Sequence, residues 1–231
     1  MAQAAIPASE RRDRTRRAAL TPDEIVAAAI VLADRDGLDE LSMRRLAAEL
    51  GVGAMTLYGQ FRTKEDLLRA MADAVLVDAA PSPSPDAAWV DTARDVAVRL
   101  RATLLDHPGV APLVARCGPI GPNALRATEA ALAWLRGVGF DEHETPRVFQ
   151  SLLTYVLGAV ALEAPYLSSP ALREQKADAM RLVYESLPAS VFPNTMAMAD
   201  HLFILDPEAQ FTYGLELLLT GLQQRHTDVG S

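Results

Sequence analysis

Residues 41–68, LSMRRLAAELGVGAMTLYGQFRTKEDLL, constrain this chain more than any other stretch. Ser42 is placed to cap a helix over 43–50, with Leu46, Ala47 and Leu50 on one face. Gly51 supplies the left-handed residue that stops this helix, and Val52 fills the corner. A second short helix over about 54–60 buries Leu57 and Phe61 and turns Ala54, Met55, Thr56, Tyr58, Gly59 and Gln60 outward. Thr63 caps a third helix, with Glu65 and Asp66 in a first turn that favours negative charge. Two crossed helices joined by a glycine turn make a helix-turn-helix, which lays its second helix in a DNA major groove. An ordinary helical corner would share the local chemistry.

The rest of the chain is written for helices, with proline and glycine between them. Thr21-Pro22 opens a first helix whose buried stripe is Ile25, Ala28, Ala29 and Leu32, and Gly37 ends it. A fourth helix is expected over 64–78, with Leu67, Met71 and Val75 at four-residue spacing. The run Pro81-Ser-Pro-Ser-Pro85 admits no helix and sets the domain boundary. Further helices are expected at 87–106, 110–116, 122–138, 141–164, 171–187 and 207–224, with junctions that include Pro165. Residues 188–206, with Pro188 and Pro193, hold no long helix. The fold class is all-α. A disordered basic arm (1–20) precedes a three-helix helix-turn-helix domain with its connecting helix (21–80), and a second helical domain (86–231) follows.

The net charge of −8 argues against an evenly basic nucleic-acid binder, but its distribution matters more. Residues 1–70 carry 11 Lys+Arg and 11 Asp+Glu, so the whole excess of acid lies beyond them. Any face that meets DNA belongs to the first third. There, RRDRTRR at 11–17 could reach phosphates or a minor groove, or form a solvated tail. The one cysteine, Cys117, excludes an internal disulfide and suits a reducing, cytoplasmic setting. No signal peptide is apparent, and the apolar run at 155–162 is too short for a bilayer, so no membrane partner is expected.

Two helices carry more apolar surface than one subunit covers. On the last, Phe211, Leu215, Leu218 and Leu222 form a stripe, Leu217 and Leu219 fall outside it, and Gly214 and Gly221 permit close approach of another backbone. On the helix at 141–164, Phe149, Leu152, Leu153, Val156, Leu157, Val160 and Ala161 wrap much of the circumference. A helix apolar nearly all round needs partners on two sides, as a central core helix or at a two-fold four-helix interface between subunits.

Enzyme chemistry is hard to find. His107, His143, His201 and His226 sit at no metal-ligand spacing, and no P-loop, nucleophile-elbow or dinucleotide motif occurs. No catalytic residue, metal site or cofactor is assigned.

The order LAAELGV, TLYGQF, TKEDLL resembles the DNA-binding half of TetR-family regulators, and HPGVAPLVARCGPIGPNALRATEAALAWL, VLGAVALEAP and FTYGLELLLTGL resemble the tetracycline-repressor branch of its C-terminal domains. The resemblance implies that the connecting helix is a lever between ligand and DNA. It also implies that Arg44 meets a base or phosphate, and that Ala54, Met55, Gly59 and Gln60 face bases. Thr56, Tyr58 and Lys64 would hold phosphates. Gly59 departs from the large aromatic of the tetracycline-repressor branch. For a ligand pocket, the polar or aromatic candidates are His107, Asn123, Trp134, Gln150, Thr154 and Tyr155. His107 matches a histidine that in that branch meets ligand-bound magnesium, but Glu163 falls off the matching acidic position. The expected protein is a homodimer that binds a double-stranded DNA operator and is released by a small-molecule effector. A helical binding or enzymatic module with a vestigial helix-turn-helix is the alternative.

Overall fold

The computed structural model describes residues 20–84, 87–118, 120–167, 170–199 and 206–229; the arginine run at 11–17 lies outside the described residues. Helices α1 (Pro22–Asp36), α2 (Met43–Glu49), α3 (Ala54–Gln60) and α4 (Lys64–Ala74) form the N-terminal part. Their ends follow local chemistry. Thr21 and Glu24 make a reciprocal capping box, as do Thr63 and Asp66, and the Ser42 hydroxyl accepts from the Arg45 amide at 3.2 Å. Gly51, at φ +66°, makes the turn between α2 and α3. Ile25, Leu32, Leu41, Leu46, Leu57, Leu67 and Met71 are sealed between the four helices. Ala28 is only half-buried; Val26, Ile30 and Ala33 complete the stripe of α1.

Helix α4 is shorter than its periodicity suggests. It ends at Ala74 and continues as turns through residue 78. The Asp73 carbonyl, which a continuing helix would offer to residue 77, instead accepts from Leu76 N at 3.1 Å and from Asn123 Nδ2 at 3.1 Å.

Beyond the prolines come α5 (Trp89–Asp106), α6 (Ala111–Cys117), α7 (Pro122–Val138), α8 (Glu144–Leu167), α9 (Pro170–Glu185), α10 (Pro193–Ala197) and α11 (Pro207–Val229). No strand occurs among the described residues. Helix α8 is central and packs on α5, α6, α7, α9 and α11. By length and composition alone, α8 could cross a bilayer, which the run at 155–162 did not suggest. One side of it, with Val148, Val156, Val160 and Ala164, is buried against these helices, its Glu163 is bound by Arg101 at 2.7 Å, and the opposite side, with Leu162, stays exposed in the single chain. Pro165 does not end α8. It sits within the last turn, where its missing N–H leaves only the carbonyl of an exposed residue, Ala161, without a helical donor.

Contacts from Arg225 to Glu144 and from Tyr155 Oη to the Phe211 carbonyl (2.7 Å) set α11 antiparallel to α8. The buried line on α11 is Phe211, Leu215 and Leu219, in steps of four, while Leu218 is half-buried. Leu219 therefore belongs to the stripe. Gly214 makes room for a side chain of its own subunit: a Cβ there would lie 2.3 Å from Tyr155 Oη. Arg101 ties α5 to both helices through Glu163 and Glu208, with its guanidinium 4.7 Å from the centre of the Phe211 ring. Burial works against its charge, and the two carboxylates more than offset this, holding its pKa above the ordinary value.

One apolar cluster runs from Ile25 through Met71 to Val156 and Leu215, so the core does not break at the proline run. The α5–α6 corner presses on α1 so closely that a Cβ on Gly109 would lie 2.3 Å from the Ala33 carbonyl oxygen. Because that neighbour is backbone, Gly109→Ala is expected to lower the unfolding free energy by about 1–3 kcal/mol. Gly137→Ala, in open space on α7, is expected to leave it unchanged or raise it slightly. Urea unfolding followed by circular dichroism measures both.

Candidate nucleic-acid interface and ligand cavity

Helix α3 has one buried anchor, Leu57, and otherwise faces outward. Met55 is 81% exposed and Tyr58 45%; Thr56, Gly59 and Gln60 are also exposed, and Ala54 is half-buried. Outside its own turn of helix, no atom of the described residues lies within 4 Å of the position a Cβ on Gly59 would take. The helix thus presents a thin, mixed polar and apolar ridge that could enter a groove. Arg44, at the start of α2, and Lys64, at the start of α4, flank it and are exposed, and neither has a carboxylate partner among the described residues. Arg62 has the same character and sequence reasoning did not single it out; its signal is a cation directly before the Thr63 cap. By contrast, Arg45 is held by Asp36 and Glu40, both at 2.7 Å, and Arg35 by Asp36 and Glu49. Of the cations in the motif, Arg44, Arg62 and Lys64 are thus left open to solvent, while Arg35 and Arg45 tie α1 and α2 together.

The second feature is a cavity of about 260 Å³ enclosed by the end of α4 and by α5, α6, α7 and α8. Of the six residues expected at a ligand pocket, Trp134 and Gln150 line it. His107, Asn123, Thr154 and Tyr155 do not. Thr154 is exposed and accepts from Gln150 Nε2 at 3.3 Å, and Tyr155 is engaged with α11.

His107 and Asn123 instead join the two halves of the chain. His107 Nδ1 lies 2.8 Å from Asp34 Oδ2 on α1, and the Gly109 amide donates to Asp34 Oδ1 at 3.0 Å. Asn123 and Ala124, in the first turn of α7, donate backbone N–H bonds to the Asp73 carboxylate at 3.2 and 2.9 Å. Asp73 is 8% exposed and sits where the α7 dipole favours an anion. Gly121 leaves room for it, since a Cβ there would lie 2.1 Å from Asp73 Cγ. Sequence reasoning missed both aspartates. Their signal was position: each stands in the last turn of its helix, where the dipole opposes a negative charge and a partner must come from elsewhere. The cavity and the Asp73 junction share a wall. Leu76, three residues past Asp73, and Ala124, which donates to it, both line the cavity.

Residues 25–71 match the family described as bacterial regulatory proteins, tetR family, and residues 81–226 match the tetracyclin repressor-like C-terminal domain. The chain is 37% identical over 155 residues to an HTH-type transcriptional regulator of Saccharopolyspora erythraea, a match that covers 67% of this chain and 65% of that protein. It is 30% identical over 221 residues to an HTH-type transcriptional repressor of Mycobacterium tuberculosis, covering 90% and 82% of the two chains. The crystal structure of the Streptomyces coelicolor TetR family protein ActR in complex with actinorhodin superposes with a TM-score of 0.78 at 31% identity, over 90% of this chain and 99% of that one. The helix-turn-helix, the helical domain behind it and these relatives lead to one conclusion: this chain belongs to the TetR family of bacterial transcriptional regulators.

Proposed function

We propose that the chain works in the cytoplasm as a homodimeric repressor that grips a palindromic operator with α3 and lets go when a small molecule fills the cavity. The observation that carries this reading is the shared wall: Leu76 and Ala124 belong both to the cavity and to the junction that positions α4. An occupant that pushes on either residue acts on the helix that carries the DNA-binding motif. It shifts the equilibrium only by binding the DNA-incompetent arrangement more tightly.

On DNA, Gln60 and Arg44 reach base edges, Ala54 and Met55 touch thymine methyls, and Gly59 lets the helix lie close to the groove floor. Thr56, Tyr58 and Lys64 hold phosphates, with Arg62 beside them. A duplex selected by the protein from a random pool provides the test. Tyr58→Phe combined with Lys64→Ala is expected to weaken binding to all sequences and to lower the salt slope by about 1. Gln60→Ala is expected to relax preference at one base position per half-site. Wild-type affinity in a folded Tyr58/Lys64 double variant, measured by fluorescence anisotropy, would refute the docking.

The outer sides of α8 and α11 supply the dimer interface. Leu162, Tyr213 and Leu217 are 75%, 65% and 59% exposed in the single chain. Leu217→Arg leaves the fold of one subunit untouched, because the site is already open to water, but places a charge in the seam between subunits. It is expected to sediment as a monomer with a wild-type circular dichroism spectrum. Operator affinity falls with it, because the two half-sites lie about one helical turn or a multiple apart. A Leu217→Arg dimer of unchanged strength would remove α11 from the interface.

A further inference from the structure

Granting the reading of the cavity as the effector site, we infer that its ligand is an uncharged fused-ring molecule bound without a metal ion. Size is the first constraint. An apolar cavity of about 150 Å³ accommodates one benzene ring, so the 260 Å³ here fits a body of about two fused rings. Shape is the second. Ala93 and Ala97 on α5 and Ala127 and Ala131 on α7 line the space with short side chains, which leaves a slot clear for a ring, and Trp134 and Phe149 add aromatic side chains to the lining.

Charge is the third constraint, and it is the sharpest. No side chain lining the cavity is ionisable. Asp73, which borders the cavity through Ala124, is already taken by the amides of α7. An ionised ligand would enter with nothing to pair it, which the energetics of charge burial oppose. His107, the residue matched to a magnesium contact, turns its Nδ1 to Asp34. No group of three or more His, Cys, Asp or Glu side chains that could hold a metal occurs among the described residues.

The polar side-chain groups among the lining residues are those of Thr128 and Gln150 and the indole N–H of Trp134. Gln150 donates to Thr154 and keeps its side-chain carbonyl oxygen as an acceptor. It selects a ring that carries a hydroxyl donor. Gln150, Ala115 and Gly118 line the cavity and are exposed, so it opens to solvent and a larger molecule can leave its polar part outside.

The test is isothermal titration calorimetry of the full chain with 2-naphthol, phenol, naphthalene-2-sulfonate, and tetracycline with magnesium chloride. 2-Naphthol is expected to bind at least about tenfold more tightly than phenol or the sulfonate. Ala131→Phe and, independently, Ala97→Leu fill the slot and are expected to weaken 2-naphthol by about tenfold or more, with circular dichroism melts confirming that both fold. The inference is overturned by any of three results: no binding of 2-naphthol, equal or tighter binding of the sulfonate or the magnesium–tetracycline complex, or unchanged 2-naphthol affinity in both folded variants. Operator release, measured in parallel, separates this inference from the functional reading. Binding of 2-naphthol without release supports the ligand class and counts against the effector role. Release by the magnesium complex keeps that role and overturns the class.

Discussion

The Asp73 carboxylate, closed in by the first amides of α7, is the contact on which the arrangement of this molecule turns. A buried carboxylate is tolerable only while its oxygens keep donors, and losing one donor leaves a penalty of about 1–3 kcal/mol or more. Here the donors come from backbone, so they cannot swing away without moving a helix. The same residue ends α4, because its carbonyl is shared between Leu76 and the Asn123 side chain. It also demands a glycine at position 121. A second carboxylate, Asp34, does the same for α1 through His107 and Gly109. The DNA-binding helices are thus held to the C-terminal domain through their first and fourth members, by polar contacts set on a continuous apolar core.

This construction makes a two-position device plausible in physical terms. Close-packed interiors do not deform smoothly; they change by switching between packings. A ligand bound in the cavity as proposed would press on walls of small alanines and on Leu76, three residues past Asp73. If it shifts α7 relative to α4, the carboxylate must follow its donors or lose them. Coupling of this kind in proteins is typically worth about 1–3 kcal/mol, enough to change operator affinity by about 5–150-fold. In the proposed dimer, the exposed apolar residues of α8 and α11 would carry the shift to the spacing between two recognition helices.

What was legible in the sequence was local. Caps at Thr21, Ser42 and Thr63, stops at Gly37 and Gly51, and the period of Leu67 and Met71 are decided within a turn or two, and they located the helices and the helix-turn-helix. What was not legible depended on distant partners. Leu219 is buried because of where α5 and α8 lie, and Gly214 is small because Tyr155 crosses it. His107, Asn123 and Tyr155 look like pocket residues in a string of letters, but each found its partner on another helix. The cavity is lined mostly by alanine, valine and leucine, residues that carry no signal of binding until their spacing in three dimensions is known.

The most direct test of coupling through Asp73 is a cycle of operator affinities, measured by fluorescence anisotropy with and without saturating cavity ligand, in the wild-type chain and in Asp73→Asn. The substitution keeps the size of the side chain and removes the charge that α7 holds. Coupling through this contact predicts that the variant folds, dimerises and binds the ligand, while the ligand-induced loss of operator affinity shrinks by about tenfold or more. A folded Asp73→Asn variant that binds the ligand and releases operator as fully as the wild-type chain would contradict it.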